Sequence, residues 1–248
     1  MGDFEKLGQI LIEIKPNMAP IQNLVAQIVY EINAFEENDL ASLRNFATSR
    51  IDELRKESKN AVKKSAEWGA TLISNSDLLA TCSYSSTVYE TLKVATKQGK
   101  TFKVFVAESK TEDNNLQYGQ TMATSLKSIQ IATEVFPDNQ ICRIIPKAKH
   151  VLVGADSLLY DGSIINGTPT HKVTLRAKEK GIPVYSIWET AKVNTLNILG
   201  KKIHLEKGFE LVPTNRISKI ITEKGILDPN KIAEIAKEKS KFYEILPP

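Results

Sequence analysis

The stretch from Val151 to Asn194, VLVGADSLLYDGSIINGTPTHKVTLRAKEKGIPVYSIWETAKVN, constrains the fold of this chain more than any other. It opens on the apolar run Val151-Leu152-Val153 and passes through a loop from Tyr160 to Thr170 rich in Asp, Gly, Ser, Asn and Thr. Helical periodicity follows from Thr170 to Lys180, and a second apolar run from Ile182 to Ile187 closes the unit. Short continuous apolar runs mark strands covered on both faces, and two of them flanking a helix make a βαβ crossover with parallel strands. In an open parallel sheet, ligands sit beyond the carboxyl ends of the strands. Gly154-Ala155-Asp156 stands at such an end, so Asp156 is the first candidate for function. The alternative is a structural carboxylate that accepts loop amides or caps the helix.

The same alternation extends along most of the chain. Strands are expected at Asp77 to Cys82, Phe102 to Ala107 and Ile129 to Thr133, with helices at Ser86 to Gln98, near Gly119 to Leu126, and at Asn139 to Lys147. Phe209 to Pro213 and Ile217 to Gly225 read as a further strand or paired extension, and Asp228 to Pro248 as a surface helix and tail. Before about Gly69 the pattern is helical, with apolar positions at Leu24, Ile28 and Ile32, then Leu43, Phe46, Ile51 and Leu54. Lys15-Pro16-Asn17 and Glu37-Asn38-Asp39 interrupt it, and Asn38 or Asp39 caps the long helix that follows. Arg44, Arg50, Arg55, Lys56, Lys59, Lys63 and Lys64 lie along that helix, either as a solvated face or as a docking surface for an acidic partner. The expected architecture is α/β: an N-terminal helical lobe over residues 1–70, then a Rossmann-like parallel-sheet domain with a C-terminal extension over residues 71–248.

Composition narrows the function classes. With 248 residues, 42% of them hydrophobic, a substantial core is affordable. The formal charge is only +4 and lysines are scattered among glutamates, so direct nucleic-acid binding is not indicated. Cys82 and Cys142 are the only cysteines, without a CxxC or Cys/His cluster, so neither zinc nor a disulfide scaffold is expected and the natural setting is a reduced cytoplasm. Cys142, inside an apolar helical run, reads as core. The start, MGDFEKLGQILIEIKPNMAP, is unlike a signal peptide, and no run approaches the ~20 apolar residues of a spanning helix. No GxGxxG follows a strand and no GxxxxGK[ST] occurs, so dinucleotide and P-loop chemistry are unsupported.

Several stretches together carry a family resemblance: NMAPIQNLVAQI, LLATCSYSSTV, VFVAESK, the loop GADSLLYDGSIINGTPTHKVTLRAKEKGIPVY, WETAK, and FELVPTNRISKIITEKGIL. Their order resembles the family that joins the alpha, beta and delta regulatory subunits of initiation factor 2B to archaeal ribose-1,5-bisphosphate isomerase and methylthioribose-1-phosphate isomerase. In the isomerase branches the resemblance implies a catalytic Cys in a His-Cys-Asn-Ser stretch, a catalytic Asp in Gly-Ala-Asp, and an Asn-Lys pair followed by Gly-Thr near the sugar phosphate. Asp156 and Asn166 match, and Thr170 is retained. Gly167 stands where the Lys is expected, and Pro169 replaces the Gly. Ser83 occupies the place of the cysteine and Cys82 that of the histidine, while Glu-Ser-Arg-Pro becomes Glu108-Ser109-Lys110-Thr111. Glu189-Thr190-Ala191-Lys192 matches the Glu-Thr-x-Lys of the initiation-factor and ribose-bisphosphate branches, and Tyr84-Ser85 resembles the alpha-subunit type.

Aldose-ketose isomerisation moves a proton beside a carbonyl, a task for which a thiol of pKa ~8.5 suits far better than a serine hydroxyl. Neighbouring strand residues face opposite sides, so Cys82 reads as either a site thiol at a turned strand end or a small buried hydrophobe. His171 and Lys172, just past the loop, either offset the missing cation or form an exposed turn. The resemblance therefore implies a regulatory or binding protein of translation with a phosphosugar or nucleotide pocket and a degraded catalytic set. Its ligand-binding candidates are Ser83, Ser85, Lys110, Asn166, Thr170 and Lys192. The alternative is a cofactor-free sugar-phosphate isomerase using Asp156 with Cys82 or Ser83. The expected partners are further copies of the chain in a homodimer or larger assembly, initiation factor 2, and a small phosphorylated sugar or nucleotide, with no membrane.

Overall fold

A computed structural model describes residues 3–14, 17–36, 39–111, 116–194, 203, 205–240 and 242. Three helices come first, α1 (Asp3–Ile14), α2 (Ala19–Asn33) and α3 (Leu40–Thr71). They are followed by β1 (Asp77–Cys82), α4 (Ser86–Lys97), β2 (Phe102–Ala107), α5 (Tyr118–Ser128), β3 (Ala132–Phe136), α6 (Ile141–Ile144) and β4 (His150–Val153). The remainder is β5 (Ser157–Leu158), β6 (Ile164–Gly167), α7 (Thr170–Glu179), β7 (Val184–Ile187), β8 (Phe209–Val212), β9 (Lys219–Thr222), β10 (Gly225–Leu227) and α8 (Ile232–Ser240). The chain is thus α/β, a helical start followed by a mostly parallel sheet with helices. No described helix is long and apolar enough to cross a membrane.

Seven strands form the main sheet in the order β10-β9-β7-β4-β1-β2-β3, parallel throughout except for the terminal β10. Alternate residues on each strand enter different cores, as the pleat requires. Leu79, Val104, Val106 and Leu152 pack with Val88, Leu92, Met122 and Leu126 of α4 and α5. Ala80, Phe105, Val151 and Val153 pack on the opposite face with Ile141 of α6, Val173 and Ala177 of α7, and Ile232 of α8. Both faces are therefore covered. Successive connections run outward from β1 through β2 and β3, and the chain then returns to the other side of β1 at β4. This reversal opens a crevice between the carboxyl ends of β1 and β4.

The helical start is tied to the sheet by polar contacts. Asp39 caps α3 by accepting from the Ser42 amide at 2.9 Å. Arg50 on α3 holds both carboxylate oxygens of Glu31 on α2, at 2.7 and 3.2 Å. Buried Asn23 on α2 donates from its side-chain amide to the Ala191 and Val193 carbonyls, both at 2.7 Å, which satisfies a group whose isolation would cost about 1–3 kcal/mol. At the far end of α3, Ser65 donates to the Trp188 carbonyl, and Gly69 lies close against Thr91 and Ile187.

Four details depart from expectation. The third strand starts at Ala132, not Ile129, because Ile129 is the C-cap of α5 and Gln130 adopts φ 62 before the chain extends. Cys142 is exposed: α6 buries Ile141 and Ile144 and turns the two intervening side chains, Cys142 and Arg143, outward. The loop from Tyr160 to Thr170 contains β6, which with β5 and β8 makes a second, antiparallel sheet. The buried stripe of α2 is Ala19, Gln22, Asn23, Ala26, Val29 and Ile32, rotated from the Leu24-Ile28-Ile32 line so that two amides face inward. The expected C-terminal helix is α8, while the tail after residue 242 and the breaks at 15–16 and 37–38 lie outside the described residues.

Candidate ligand-binding site

A cavity of about 630 Å³ lies at the β1/β4 switch point. Its lining draws Ser83 and Tyr84 from the turn after β1, Ser109, Lys110 and Thr111 from the loop after β2, and Asp156 from the end of β4. Gly167 and Thr168 come from the end of β6, Lys207, Gly208 and Phe209 from the entry to β8, Tyr118 from the first turn of α5, and Met18 from the segment before α2.

The floor is built by two adjacent strand ends in an uncommon conformation. Ser83 and Ser109 both adopt left-handed backbone, φ 57 and 51, a region few non-glycine residues occupy. They are held there by a shared network. The Ser109 hydroxyl accepts the Ser83 amide at 2.7 Å and donates to the Ala107 carbonyl at 3.1 Å. The Asp138 carboxylate accepts the Ser109 and Lys110 amides at 2.9 and 3.1 Å. Lys110 is exposed and its ammonium stands 3.3 Å from the Glu108 carboxylate.

Asp156 faces the cavity, and no described residue donates a hydrogen bond to its carboxylate. Burial pushes its pKa up, opposed by the charge of Lys192. Lys192 lies behind it and donates to the Ala155 carbonyl at 2.7 Å; burial pulls its pKa down, opposed by Asp156 and Glu189. The Asp156 carboxylate is thus a buried acceptor that faces the cavity, its upward shift opposed by the nearby Lys192 ammonium.

The other candidates are drawn elsewhere. Ser85 caps α4, accepting the Val88 amide at 3.3 Å, and packs so tightly on the end of β4 that a Cβ at Gly154 would lie 2.5 Å from its hydroxyl. Asn166 and Thr170 form a buried cluster with Cys82 behind the cavity wall. The Thr170 hydroxyl accepts from the Asn166 amide at 3.0 Å and donates its one proton to the Gly167 carbonyl at 2.6 Å. Cys82, 3.4 Å away, is therefore left to donate its S–H to that oxygen. Burial pushes the Cys82 thiol up to about 12. Ser83, not Cys82, reaches the cavity. His171 and Lys172 do not line it either: the His171 amide is taken by Glu210 at 2.8 Å, and the Lys172 ammonium by the Asp138 carbonyl at 3.4 Å. Sequence reasoning missed Tyr118 and Lys207, which lie in segments without a motif, and Phe209, which opens the FELVPTNRISK stretch but was not singled out there; all three meet the site only through the fold.

Titration of native protein with a thiol reagent is expected to modify exposed Cys142 quickly and Cys82 only on unfolding. Two fast thiols would place Cys82 in solvent contact and contradict this geometry.

A sequence model described as the Initiation factor 2 subunit family matches residues 1–210. The chain belongs to that family. Among its relatives, a putative translation initiation factor eIF-2B subunit 2-like protein of Pyrococcus furiosus is 31% identical over 237 residues, covering 90% of this chain and 80% of that protein. A ribose 1,5-bisphosphate isomerase of the same organism is 27% identical over 262 residues, covering 95% and 80%. The crystal structure of translation initiation factor eIF-2B from Pyrococcus horikoshii OT3 superposes with a TM-score of 0.80 at 28% identity, over 92% of this chain and 82% of that one. Family members of both kinds are thus similar to this chain over nearly its whole length, and membership alone does not separate factor from enzyme.

Proposed function

We propose that this family member is a regulatory binding protein of translation that takes a small phosphorylated sugar or nucleotide at the switch-point cavity without isomerising it. The observation that supports this reading is the absence of a usable thiol: Ser83 lines the cavity, Cys82 is buried in the core with its pKa raised to about 12, and exposed Cys142 does not line the cavity. A serine hydroxyl is a poor proton shuttle at a carbon beside a carbonyl, and Asp156 alone provides one of the two groups such a transfer needs. Lys110, Lys207 and the Asp156 carboxylate, which accepts no hydrogen bond from a described residue, are suited to holding phosphate and hydroxyl groups. Self-association and docking onto initiation factor 2 are the partner side of the same reading, which the eIF-2B-like relatives favour.

The test is a thermal-unfolding screen against ribose 1,5-bisphosphate, ribulose 1,5-bisphosphate, methylthioribose 1-phosphate, AMP and GDP, with each hit incubated and followed by NMR. A ligand held about a hundredfold above its Kd is expected to stabilise the fold by ~2.7 kcal/mol, with no isomer formed. Conversion that disappears in Asp156→Asn would establish an isomerase and overturn the proposal. No stabilisation by any of them would remove the ligand from it.

A further inference from the structure

Helix α1 meets α2 on one face and leaves an apolar stripe open on another. Gly8 lies against α2, where a Cβ would come within 2.9 Å of Val29 and 3.5 Å of Val25. Leu7, Ile10, Leu11 and Ile14, spaced i, i+3, i+4 and i+7, make the second stripe. Each of them is between 39 and 59% exposed. Single exposed apolar residues are ordinary, whereas four in one contiguous stripe mark a contact surface.

Charge selects what covers it. The edge of the stripe away from α2 carries Lys6, Gln9 and Glu13, with a single base, whereas a helix lying on a membrane presents a run of Lys and Arg there. Lys6 and Glu13 are both exposed and stand seven residues apart, so they flank the same edge near opposite ends of the helix. Gln9 donates to the Glu13 carboxylate at 3.0 Å along that edge. An antiparallel second copy of α1 brings each Lys6 to the partner's Glu13, and the two-fold axis makes that pair twice. A parallel copy would set Lys6 against the partner's Lys6 and Glu13 against the partner's Glu13, which repel.

We propose that α1 is a self-docking surface on which α1 of a second copy lies antiparallel, with Leu7, Ile10, Leu11 and Ile14 meeting their counterparts about a two-fold axis. This goes beyond the self-association proposed above, which names no surface, and it is independent of the cavity. The four side chains together expose little more than two fully open residues would. Two stripes face to face therefore cover less than about 1,200 Å², the size class of weak and reversible pairs.

Sedimentation equilibrium of the full chain from low micromolar to millimolar concentration tests this. Wild type is expected to show one concentration-dependent doubling of mass. Ile10→Glu sets like charges against each other at the axis and is expected to weaken that step about a hundredfold or more, leaving any other assembly intact. Ile10 is 55% exposed, so circular dichroism melts of the variant should match wild type. Lys6→Glu and Glu13→Lys, at two further exposed positions, should each weaken the step, and an equimolar mixture of the two should recover wild-type association. A mixture that associates more tightly than wild type would mean a parallel pair and overturn the antiparallel arrangement. Doubling that Ile10→Glu leaves unchanged would overturn the role of α1 while self-association through another surface stands. A wild-type mass that never doubles would overturn the proposal outright.

Discussion

Gly119→Ala is expected to destabilise the fold by about 3 kcal/mol, the upper end for overpacking a tight interior. A Cβ at this position would lie 1.9 Å from the Ala107 carbonyl oxygen and 2.9 Å from both the Ala107 carbonyl carbon and the Glu108 oxygen. All three are backbone atoms at the end of β2, so no side chain can swing aside. Either α5 lifts from the sheet or the Glu108-Ser109-Lys110 loop moves, and the amide of Gly119 loses its 3.1 Å bond to Glu108. Denaturant midpoints measure the cost, with Gly167→Ala as the reference. A Cβ there meets nothing nearer than the Ser83 hydroxyl at 3.6 Å, so that variant should unfold close to wild type. Equal midpoints for the two variants would contradict the packing of α5 on β2.

Asp156→Asn is expected to act in opposite directions on stability and binding. Because burial raises the folded-state pKa of Asp156, its protonated form is the one the fold favours. The contribution to stability is full below the ordinary carboxylate pKa and is lost as pH rises toward and through the raised one, so at pH 7, above the ordinary value, wild type carries a penalty. Asn carries none. The variant should therefore melt above wild type at pH 7, with the gap closing as pH falls through the carboxylate range. The upward shift already includes the attraction of Lys192, so the sign holds with that ammonium in place. Ligand affinity should fall about tenfold to a hundredfold, as for loss of a hydrogen bond to a charged group. A variant that melts below wild type at pH 7 would mean that the carboxylate is held by its surroundings rather than strained by them.

Much of this was readable in the sequence because it is local. β1 and β2 have the expected bounds, since apolar runs closed by Ser and Glu leave little room for error. The crossover from β4 through α7 to β7 follows from two apolar runs and one helical period. The antiparallel β5-β6-β8 sheet escaped because its strands are two to four residues long, and β6 finds β8 only across the intervening helix and strand. Asp156 was identifiable from its place at a strand end. Ser85 and Cys82 show the limit of the same logic. A residue at a strand end faces the crevice, the core or the next helix according to how the backbone turns, and the left-handed turn at Ser83 has no sequence mark. Cys142 misled for a related reason: a four-residue helix can bury its two end residues and still expose the two between them.

The network around Ser83, Ser109 and Asp138 has a kinetic and entropic consequence. Two loops that would otherwise order around an incoming molecule are already fixed by four hydrogen bonds formed entirely within the protein. Ordering interface groups ordinarily consumes about 0.5–1.5 kcal/mol for each immobilised side chain, and here the backbone part of that cost was met during folding. A small ligand with few contacts can then be held without induced fit, with its association set by diffusion into an open crevice. Free and occupied forms should superimpose at this floor, and only the long side chains at the rim should change rotamer.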